Sequence, residues 1–312
     1  MRSLRVGLLA GACLAGACLA NGQVRFALEE VIVNIDGKPF TTFHYGVEAG
    51  KPFFAPLRSA SGKIVTRRFP MENIPGESRD HLHHKGMWIG YNDVNGVRFW
   101  EIDPSYTKPD MGKIVTRKAE YKEGDRSGTL TTVMDWRDPA DRVLVVQDTV
   151  TTFRGDAKLR IIDVDLTLTA AVDVTFGDSH DGLLAIRLAE PFTEKGGGKL
   201  VDSEGRSGML QVWGKHANWV DYTGEVDGER IGVALFDNPK NPQAPTRWHA
   251  RDYGLVSANP IANNVFDENA PETKLKLAKG QKLRYQYRVV IHPGNAATGQ
   301  VAELYKEYLA VQ

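Results

Sequence analysis

The chain has 312 residues, of which 42% are hydrophobic, and its 39 lysine and arginine residues balance its 39 aspartate and glutamate residues. This hydrophobic content is enough to bury a core, which excludes an intrinsically disordered protein. The neutral balance, without a long basic run, excludes the positive surface of a protein that binds nucleic acid or an anionic membrane. We therefore expect a globular protein whose partner is small or neutral.

Residues 1–20 have the features of a secretory signal peptide. Two arginines precede the apolar run VGLLAGACLAGACLA, which is too short to span a bilayer comfortably. Cleavage after residue 20 would release one mature domain, residues 21–312, into the periplasm or outside the cell. Cleavage after Ala17 would instead leave Cys18 first, as in a bacterial lipoprotein with a lipid anchor. Since Cys13 and Cys18 both lie in this leader, we expect no disulfide bond in the mature domain.

Strand patterns dominate the chain after the leader. Short segments rich in β-branched and aromatic residues, bounded by Gly, Pro or Asp turns, predict strands at 24–35, 39–47, 64–69 and 112–123. Longer strands with short connections predict an antiparallel meander over 128–137, 143–154 and 158–171. Apolar and polar residues alternate at 162–169 and 282–291, which indicates strands with one buried and one solvated face.

One helix is predicted, at the C-terminus. Residues 298–311 carry apolar side chains at helical spacing, with Thr298 as the N-cap. The sequence GGGK at 196–199 lacks the spacing of a phosphate-binding loop and predicts a surface turn. Together these patterns predict an all-β fold, a large antiparallel β-sandwich with one C-terminal helix, without a transmembrane segment after the leader.

The segment 79–100, RDHLHHKGMWIGYNDVNGVRFW, holds the densest group of reactive side chains, including His81, His83 and His84. In an extended segment, His81 and His83 would point to one side and His84 to the other. Two imidazoles at this spacing can chelate a divalent metal, but no second pair with matching spacing supplies further ligands. Histidine also suits acid and base chemistry near neutral pH or sugar binding. A hydrogen-bonded structural cluster is the third interpretation.

A second candidate site lies at 176–187, where Asp178, His180 and Asp181 crowd a turn between two predicted strands. They could form a base with its orienting partner or complete a metal shell, or they could belong to an ordinary Asp-Gly turn. Arg187 follows among apolar residues, so it either faces solvent or enters a polar cleft.

Two later segments offer groups that bind sugars. In 245–260 the alternation places Arg247, His249 and Arg251 on one face, which could hold carboxylates or hydroxyls or could simply be a solvated strand face. Trp213 lies among polar residues and could stack on a sugar ring or belong to the core. The sequence has no GxSxG, HExxH, Walker, CxxC or Rossmann motif, which disfavours the commonest hydrolases, metalloproteases, nucleotide users and redox proteins.

Five segments in this order resemble a bacterial PmoA-like family of unknown function, often labelled methane oxygenase PmoA: DHLHHKGMWIGYNDVNGVRFW, GDSHDGLLAIR, VWGKHANWVDYTG, GVALFDNPKNP and PTRWHARDYGLVSANP. Methane oxidation is excluded, because the membrane subunit of that enzyme needs several apolar spans of about 20 residues and the sequence has none after the leader. The resemblance implies a secreted all-β protein similar to the supersandwich of galactose mutarotases and polysaccharide lyases. In those enzymes a histidine and a carboxylate move protons beside a sugar ring.

We therefore predict a secreted carbohydrate-active protein, a lyase, hydrolase or epimerase acting on a saccharide. The predicted catalytic residues are His83, His84, Asp181 and His249. The predicted substrate-binding residues are Arg79, His81, Lys85, Asn92, Asp93, Arg187, Trp213 and Arg247.

Two alternatives stay open. One is a non-catalytic carbohydrate-binding protein of a glycan-utilisation system, whose affinity would rest on the tryptophans. The other is a metal-dependent enzyme with His81 and His83 as ligands, although no cofactor is required by the prediction. Convergence of the side chains of His81, His83, Asp181, Arg187 and His249 on one concavity is the structural condition for this site.

Overall fold

A computed structural model describes residues 30–46 and 49–310 of the chain. The predicted signal peptide, both cysteines and the beginning of the first predicted strand lie outside these residues. The described helices are a 3₁₀ turn at Glu190–Phe192, a short helix α1 at Met209–Val212 and a longer helix α2 at Val301–Ala310. In this part of the chain, no helix has the length and apolar character needed to cross a membrane.

Antiparallel strands form two sheets. The described strands, in chain order, are β1 (Glu30–Ile35), β2 (Lys38–His44), β3 (Phe53–Phe54), β4 (Met87–Val94), β5 (Val97–Arg98), β6 (Lys113–Lys122), β7 (Gly128–Arg137), β8 (Val143–Gly155), β9 (Arg160–Ala170), β10 (Val174–Phe176), β11 (Gly182–Arg187), β12 (Lys199–Asp202), β13 (Trp219–Val226), β14 (Glu229–Asp237), β15 (Arg247–Ala250), β16 (Leu255–Asn259), β17 (Leu275–Leu277) and β18 (Lys282–Pro293).

The ten-stranded sheet follows the order β1-β2-β3-β4-β11-β16-β15, with β5 and β10 attached to β4 and β17 attached to β10. The eight-stranded sheet follows the order β12-β13-β14-β18-β9-β8-β7-β6. The neighbouring positions of β6, β7, β8 and β9 confirm the predicted meander. Because consecutive strands joined by short loops pair antiparallel, the sequence order alone determines this half of the sheet.

The core lies between the two sheets and follows the alternation seen in the sequence. Ile162 on β9 pairs with Val289 on β18, and both side chains are buried in this core. The intervening Asp163 points away from the core and accepts a hydrogen bond from Arg288 at 2.6 Å. The structure confirms the predicted all-β antiparallel sandwich with a C-terminal helix.

Helix α2 packs on the outer face of the eight-stranded sheet, where Val301, Tyr305 and Tyr308 cover Phe236 and Val290. Its start differs from the prediction, because Thr298 is not the N-cap. The Thr298 hydroxyl accepts a hydrogen bond from the Asn295 backbone amide at 2.9 Å, within a turn that precedes the helix. That turn delays the first helical residue to Val301. Residues 196 and 197 lie in an exposed turn before β12, as predicted.

The predicted strand at 64–69 is wrong. Only isolated bridges form there, between Ile64 and Arg58 and between Thr66 and Leu188. The backbone amides at 68 and 69 donate to the carboxylate of Glu77 at 2.9 to 3.2 Å instead of to a neighbouring strand. A local carboxylate therefore replaces the ladder partner that a strand would need.

Candidate functional site

The candidate site lies on the outer face of the ten-stranded sheet, away from the sandwich core. Cross-strand pairing connects Phe53 to Trp88, Trp88 to Ala185, Ala185 to Ser257 and Ser257 to His249. Directly paired residues point to the same face of a sheet, so this row has one orientation across five strands. Phe53, Trp88 and Ala185 belong to an apolar cluster separate from the main core. This cluster forms the base of the site, and His249 stands beside it.

A cleft with a volume of about 250 Å³ opens above this base. Five predicted site residues line it, namely His81, His83, His84, Asp181 and His249. Two grooves elsewhere are larger, each about 490 Å³, but no histidine lines either of them. The histidine-lined cleft is therefore the candidate because of its chemistry and not because of its size.

The histidine segment is a turn, so the expected extended arrangement is wrong. His81 has a φ of 42°, in the left-handed region, and the His84 amide donates to the His81 carbonyl at 2.9 Å. The His81 and His84 rings stack in parallel with centroids 4.6 Å apart, and His83 stands edge-on to His84 at 4.4 Å. The turn therefore gathers all three imidazoles instead of dividing them between two faces.

Asp80 holds this turn in place. One carboxylate oxygen, Oδ1, lies 2.7 Å from Nη1 of Arg67, 2.9 Å from Nη2 of Arg187 and 3.2 Å from Nδ1 of His81. Burial acts to raise the pKa of Asp80, but the hydrogen bond to His81 and the charge of Arg187 hold it well below its usual value. Arg187 is fully buried and its guanidinium also contacts Nδ1 of His84 at 3.2 Å. It therefore lies beneath the cleft and supports the histidine turn.

His83 and His84 are buried, and burial lowers the pKa of both. Burial, assisted by the charge of Lys51, lowers the pKa of His83 to about 2. Burial also lowers the pKa of His84 well below its usual value, assisted by its neighbours His83 and Arg187. A neutral imidazole with a low pKa accepts a proton poorly at neutral pH, so these two rings fit a wall of the site better than its base.

Lys85 is placed below the histidine turn. Its ammonium group lies 2.9 Å from Oδ2 of Asp103 and 3.3 Å from the carbonyl of Ala49, which it donates to. The side chains of Lys85 and Asp103 are both less than one tenth exposed. A buried cation with these partners anchors loops, and the structure does not place it in the cleft lining.

A second group of cleft residues consists of His180, Asp181 and His249. Oδ1 of Asp181 lies 3.5 Å from Nε2 of His180 and 3.7 Å from Nδ1 of His249. The other carboxylate oxygen, Oδ2, accepts a hydrogen bond from the side-chain amide of Asn92 at 3.1 Å. Burial raises the pKa of Asp181, although the nearby His180 opposes this. Asn92 therefore orients Asp181 from behind and does not itself line the cleft.

His249 is nearly inaccessible, with its side chain 3% exposed. Neither ring nitrogen makes a hydrogen bond to a described residue. Burial lowers the pKa of His249 well below its usual value, the charges of His180 and Arg251 lower it further, and only the His180 backbone opposes them. Leaving a buried polar atom unpaired costs about 1–3 kcal/mol. The described residues supply no such partner for the His249 ring.

Three residues at the rim were not among the predicted site residues. Tyr253 stacks on His81 with centroids 5.6 Å apart, and the guanidinium of Arg187 lies 4.4 Å from its ring centre. Arg251 lines the cleft, and its Nε atom has no hydrogen-bond partner among the described residues. Glu101 also lines it and is paired with Lys108 at 2.5 Å. The sequence placed Arg251 on one strand face with His249, whereas Tyr253 and Glu101 had no signal beyond lying within or next to the 245–260 and 79–100 segments.

Several predicted binding residues lie away from the cleft lining. Arg79 is exposed. Asp93 is exposed at a turn, where its carboxylate accepts a hydrogen bond from the Gly96 amide at 2.9 Å. Arg247 donates to the Gly214 carbonyl and to Oδ1 of Asn263, both at 2.8 Å. These contacts occupy the polar groups of Asp93 and Arg247 in loop structure.

Trp213 is also outside the cleft lining. Its ring packs against Phe266 at 5.2 Å, and Phe266 in turn lies 6.3 Å from the His249 ring. The tryptophans at 88, 100, 136 and 248 are fully buried. The convergence condition is met by His81, His83, Asp181 and His249, while Arg187 lies just beneath them.

The family comparison covers nearly all of the described chain. A family model described as a "Family of unknown function (DUF6807)" matches residues 30–306. That description names no activity and does not include the PmoA-like label. A search of curated proteins found no match.

Similar solved structures include an α-galactosidase from Lactobacillus brevis, 8% identical with a TM-score of 0.43, over 85% of this chain and 40% of that chain. A GH36 α-galactosidase from Geobacillus stearothermophilus in complex with raffinose is 8% identical with a TM-score of 0.45, over the same shares. A galactose mutarotase related enzyme from Lactobacillus acidophilus is 8% identical with a TM-score of 0.42, over 84% of this chain and 97% of that chain. The chain thus spans about 40% of the length of these α-galactosidases. Identities this low carry no information about activity.

Proposed function

The chain belongs to the DUF6807 family of unknown function, and we propose that it is a secreted glycan-processing enzyme that binds a saccharide in the histidine-lined cleft. The observation that carries this proposal is the pair formed by His81 and Asp80. The His81 ring lines the cleft and its side chain is 42% exposed, while Asp80 orients it through Nδ1 at 3.2 Å. This arrangement leaves Nε2 available for proton transfer.

In the proposed reaction His81 is the general base. Asp80 fixes the ring orientation and stabilises the imidazolium that forms when His81 takes a proton from a sugar C–H or O–H group. The sequence pointed to His83 or His84 for this role, but both are buried and hold depressed pKa values. His81 is the member of the cluster that combines access to the cleft with an orienting carboxylate.

Substrate binding is assigned to Arg251 at the rim. No ion pair occupies its guanidinium within the described residues, whereas Arg187 and Arg247 are engaged in the fold. A planar guanidinium can bind two vicinal hydroxyls or the carboxylate of a uronate and can neutralise charge that develops during a lyase reaction. A volume of about 250 Å³ is below the roughly 300–1,000 Å³ of drug-sized pockets, which favours one sugar ring over a long segment of chain.

The alternative of a non-catalytic binding protein loses its main support. That interpretation depended on tryptophans as stacking platforms, yet four of the six are fully buried and Trp213 packs against Phe266. Sugar-binding proteins commonly present an aromatic face to the ring. Trp100 and Tyr253 do line the cleft, but several imidazoles and the carboxylate of Asp181 line it as well, and these groups favour chemistry over stacking alone.

The test is a screen of the purified protein against plant and algal glycans, uronates and oxidised sugars, with reducing ends and absorbance of unsaturated products as readouts. Loss of a general base predicts that His81→Gln lowers kcat by about 10²- to 10⁴-fold, while Kd for the substrate changes little. Arg251→Gln should raise KM more than it lowers kcat. His216→Gln is the matched control, since His216 is an exposed histidine whose Nδ1 donates to the Pro245 carbonyl, outside the cleft.

Two results would contradict the proposal. Turnover that is unchanged in His81→Gln would exclude His81 as the base, and binding without turnover would restore the non-catalytic alternative. Secretion rests on the leader at 1–20 and is tested separately, by the N-terminal peptide of the protein recovered from the periplasmic or extracellular fraction. An intact leader on that protein would contradict export by cleavage.

A further inference from the structure

We propose that His180, Asp181 and His249 form a binding site for a divalent transition-metal ion in the cleft. Each residue offers one ligand atom, and these three atoms lie within 4.8 Å of one another. Among the described residues, this is the one group of three histidine, cysteine, aspartate or glutamate side chains that meets in this way. The site does not depend on the proposed sugar chemistry, and only its role toward a sugar rests on that proposal.

The distances between the three ligand atoms are longer than those around a bound metal, so the side chains must approach one another to bind it. Metal bonds of about 2.1 Å at nearly tetrahedral or octahedral angles place ligand atoms roughly 3.0 to 3.4 Å apart. Oδ1 of Asp181 already lies 3.5 Å from Nε2 of His180 and 3.7 Å from Nδ1 of His249. Side-chain movements of a few tenths of an ångström would bring these two pairs into coordination range. The ring nitrogens of His180 and His249, which lie within 4.8 Å of each other, must approach by up to about 1.4 Å.

An independent observation points to a ligand at this position. The His249 side chain is 3% exposed, its Nδ1 atom faces Asp181, and neither ring nitrogen has a hydrogen-bond partner in the described part of the chain. A buried histidine of this kind is normally satisfied by a backbone carbonyl, a carboxylate or a metal. A metal ion bound to Nδ1 supplies the missing partner.

Asp181 also has a hydrogen-bond partner behind it, as metal-binding side chains commonly do. Oδ2 of Asp181 accepts from the Asn92 side-chain amide at 3.1 Å, which directs Oδ1 toward the two histidines. The backbone amide of Asn92 also donates to the Asp181 carbonyl at 2.9 Å. Hydrogen-bonded ligands of this kind are held ready for coordination and commonly affect metal affinity by about 10- to 100-fold.

The ligand set selects the class of metal. Two imidazoles and one carboxylate suit Zn²⁺, Fe²⁺ or another first-row divalent ion, whereas Mg²⁺ and Ca²⁺ prefer sites made of oxygen ligands. Three protein ligands leave coordination positions for water or substrate oxygens. Because His180, Asp181 and His249 all line the cleft, those positions face the same space as His81. The metal would therefore share the cleft with the proposed base.

This placement differs from the pair expected from the sequence. The His81 and His83 rings lie edge-to-face with centroids 5.6 Å apart, and Nδ1 of His83 is 3.4 Å from the Tyr106 hydroxyl. No third ligand joins them in a group of three within residues 30–46 and 49–310. His180, which the predicted site residues did not include, takes their place.

The test measures binding of Zn²⁺ and of Co²⁺ to the chelator-treated full chain, by competition with a chromophoric chelator and by the visible absorption of bound Co²⁺. We expect one equivalent of metal and a rise in Tm when it is added. His180→Gln should weaken binding at least 100-fold and abolish the rise in Tm. Because the His180 side chain is 46% exposed, this variant should keep the far-UV circular dichroism spectrum of the wild type. Asn92→Ala should weaken binding by about 10- to 100-fold.

Matched variants separate this site from its neighbours. His216 is an exposed histidine elsewhere, and His81 lines the same cleft but is not one of the three ligands. The His216→Gln and His81→Gln variants should both bind one equivalent with wild-type affinity. Equal affinities in His180→Gln and the wild type, or no bound Zn²⁺ or Co²⁺, would overturn the metal site. Glycan turnover that persists without any metal binding would overturn it while leaving the proposed function standing. Metal binding without turnover on any glycan would support the site and count against the proposed function alone.

Discussion

Replacing Asp80 with asparagine tests whether one carboxylate holds the histidine turn together. Oδ1 of Asp80 lies 2.7 Å from Arg67, 2.9 Å from Arg187 and 3.2 Å from His81. The two arginine side chains are only 2% and 1% exposed. The variant keeps the shape and one acceptor oxygen but removes the negative charge that faces two buried guanidinium groups.

The expected cost follows from these contacts. A hydrogen bond to a charged partner contributes about 1.5–3 kcal/mol and a neutral one about 1 kcal/mol, so two weakened bonds lose roughly 1–4 kcal/mol. Asp80 is 37% exposed, and solvent screening reduces this figure to about 2 kcal/mol. For a chain of this size that corresponds to a fall in Tm of about 3 °C.

The assay is thermal and urea unfolding of the purified chain at neutral pH, repeated at acidic pH. The pKa of Asp80 is lower in the folded than in the unfolded state, so its contribution is present above the unfolded pKa of about 3.9 and is lost as pH falls through the folded pKa. The difference between wild type and Asp80→Asn should therefore shrink below about pH 4.

The control makes the same chemical change in an exposed ion pair. Asp227 is 72% exposed and pairs with Lys63 at 2.9 Å, so Asp227→Asn should unfold close to the wild type. An Asp80→Asn variant with the wild-type Tm would refute the stabilising role of the Asp80 carboxylate. A loss of stability that is the same at neutral and acidic pH would refute it as well.

Two further predictions concern the fold. Nε2 of His292 donates to Oδ1 of Asp221 at 2.8 Å, and both side chains are fully buried. Burial lowers the pKa of His292, but the hydrogen bond and charge of Asp221 outweigh this and raise it. The stabilising contribution of His292 is thus complete below the unfolded pKa of about 6.5 and is lost as pH rises through the folded pKa. The urea midpoint of the wild type should therefore fall over that pH window, and the midpoint of His292→Gln should not. Parallel pH profiles of the two proteins would count against this. Gly86→Ala would place a Cβ 2.0 Å from the carbonyl oxygen of β3 at a φ of +51°, and should lower stability by roughly 3 kcal/mol or more. Gly62→Ala, where φ is also positive but no atom lies within 4 Å, should cost about 1 kcal/mol, and equal Tm values for the two variants would contradict the steric argument.

The strands of the eight-stranded sheet could be predicted because their signal is local. Alternation at 162–169 identified β9, and the predicted strand at 128–137 has the same bounds as β7. Burial on one face requires an apolar residue at every second position, and this period is visible without any knowledge of the partner strand. The strand expected at 64–69 failed because the carboxylate of Glu77 takes backbone amides there. Such a contact leaves no mark on the local pattern.

The candidate site was also predicted only where its signal is local. The sequence identified most of the reactive side chains of the cleft, because histidines and charged residues concentrated in three short segments are visible as composition. It did not show that Asp80 orients His81, that Arg187 is buried beneath the turn, or that His180 joins Asp181 and His249. Asp80 and Arg187 are 107 residues apart along the chain and meet because β4 pairs with β11. Only the strand order of the tertiary structure decides which distant segments become neighbours. That order is selected by the free energy of burying both faces of β11, and no single segment of the sequence contains this information.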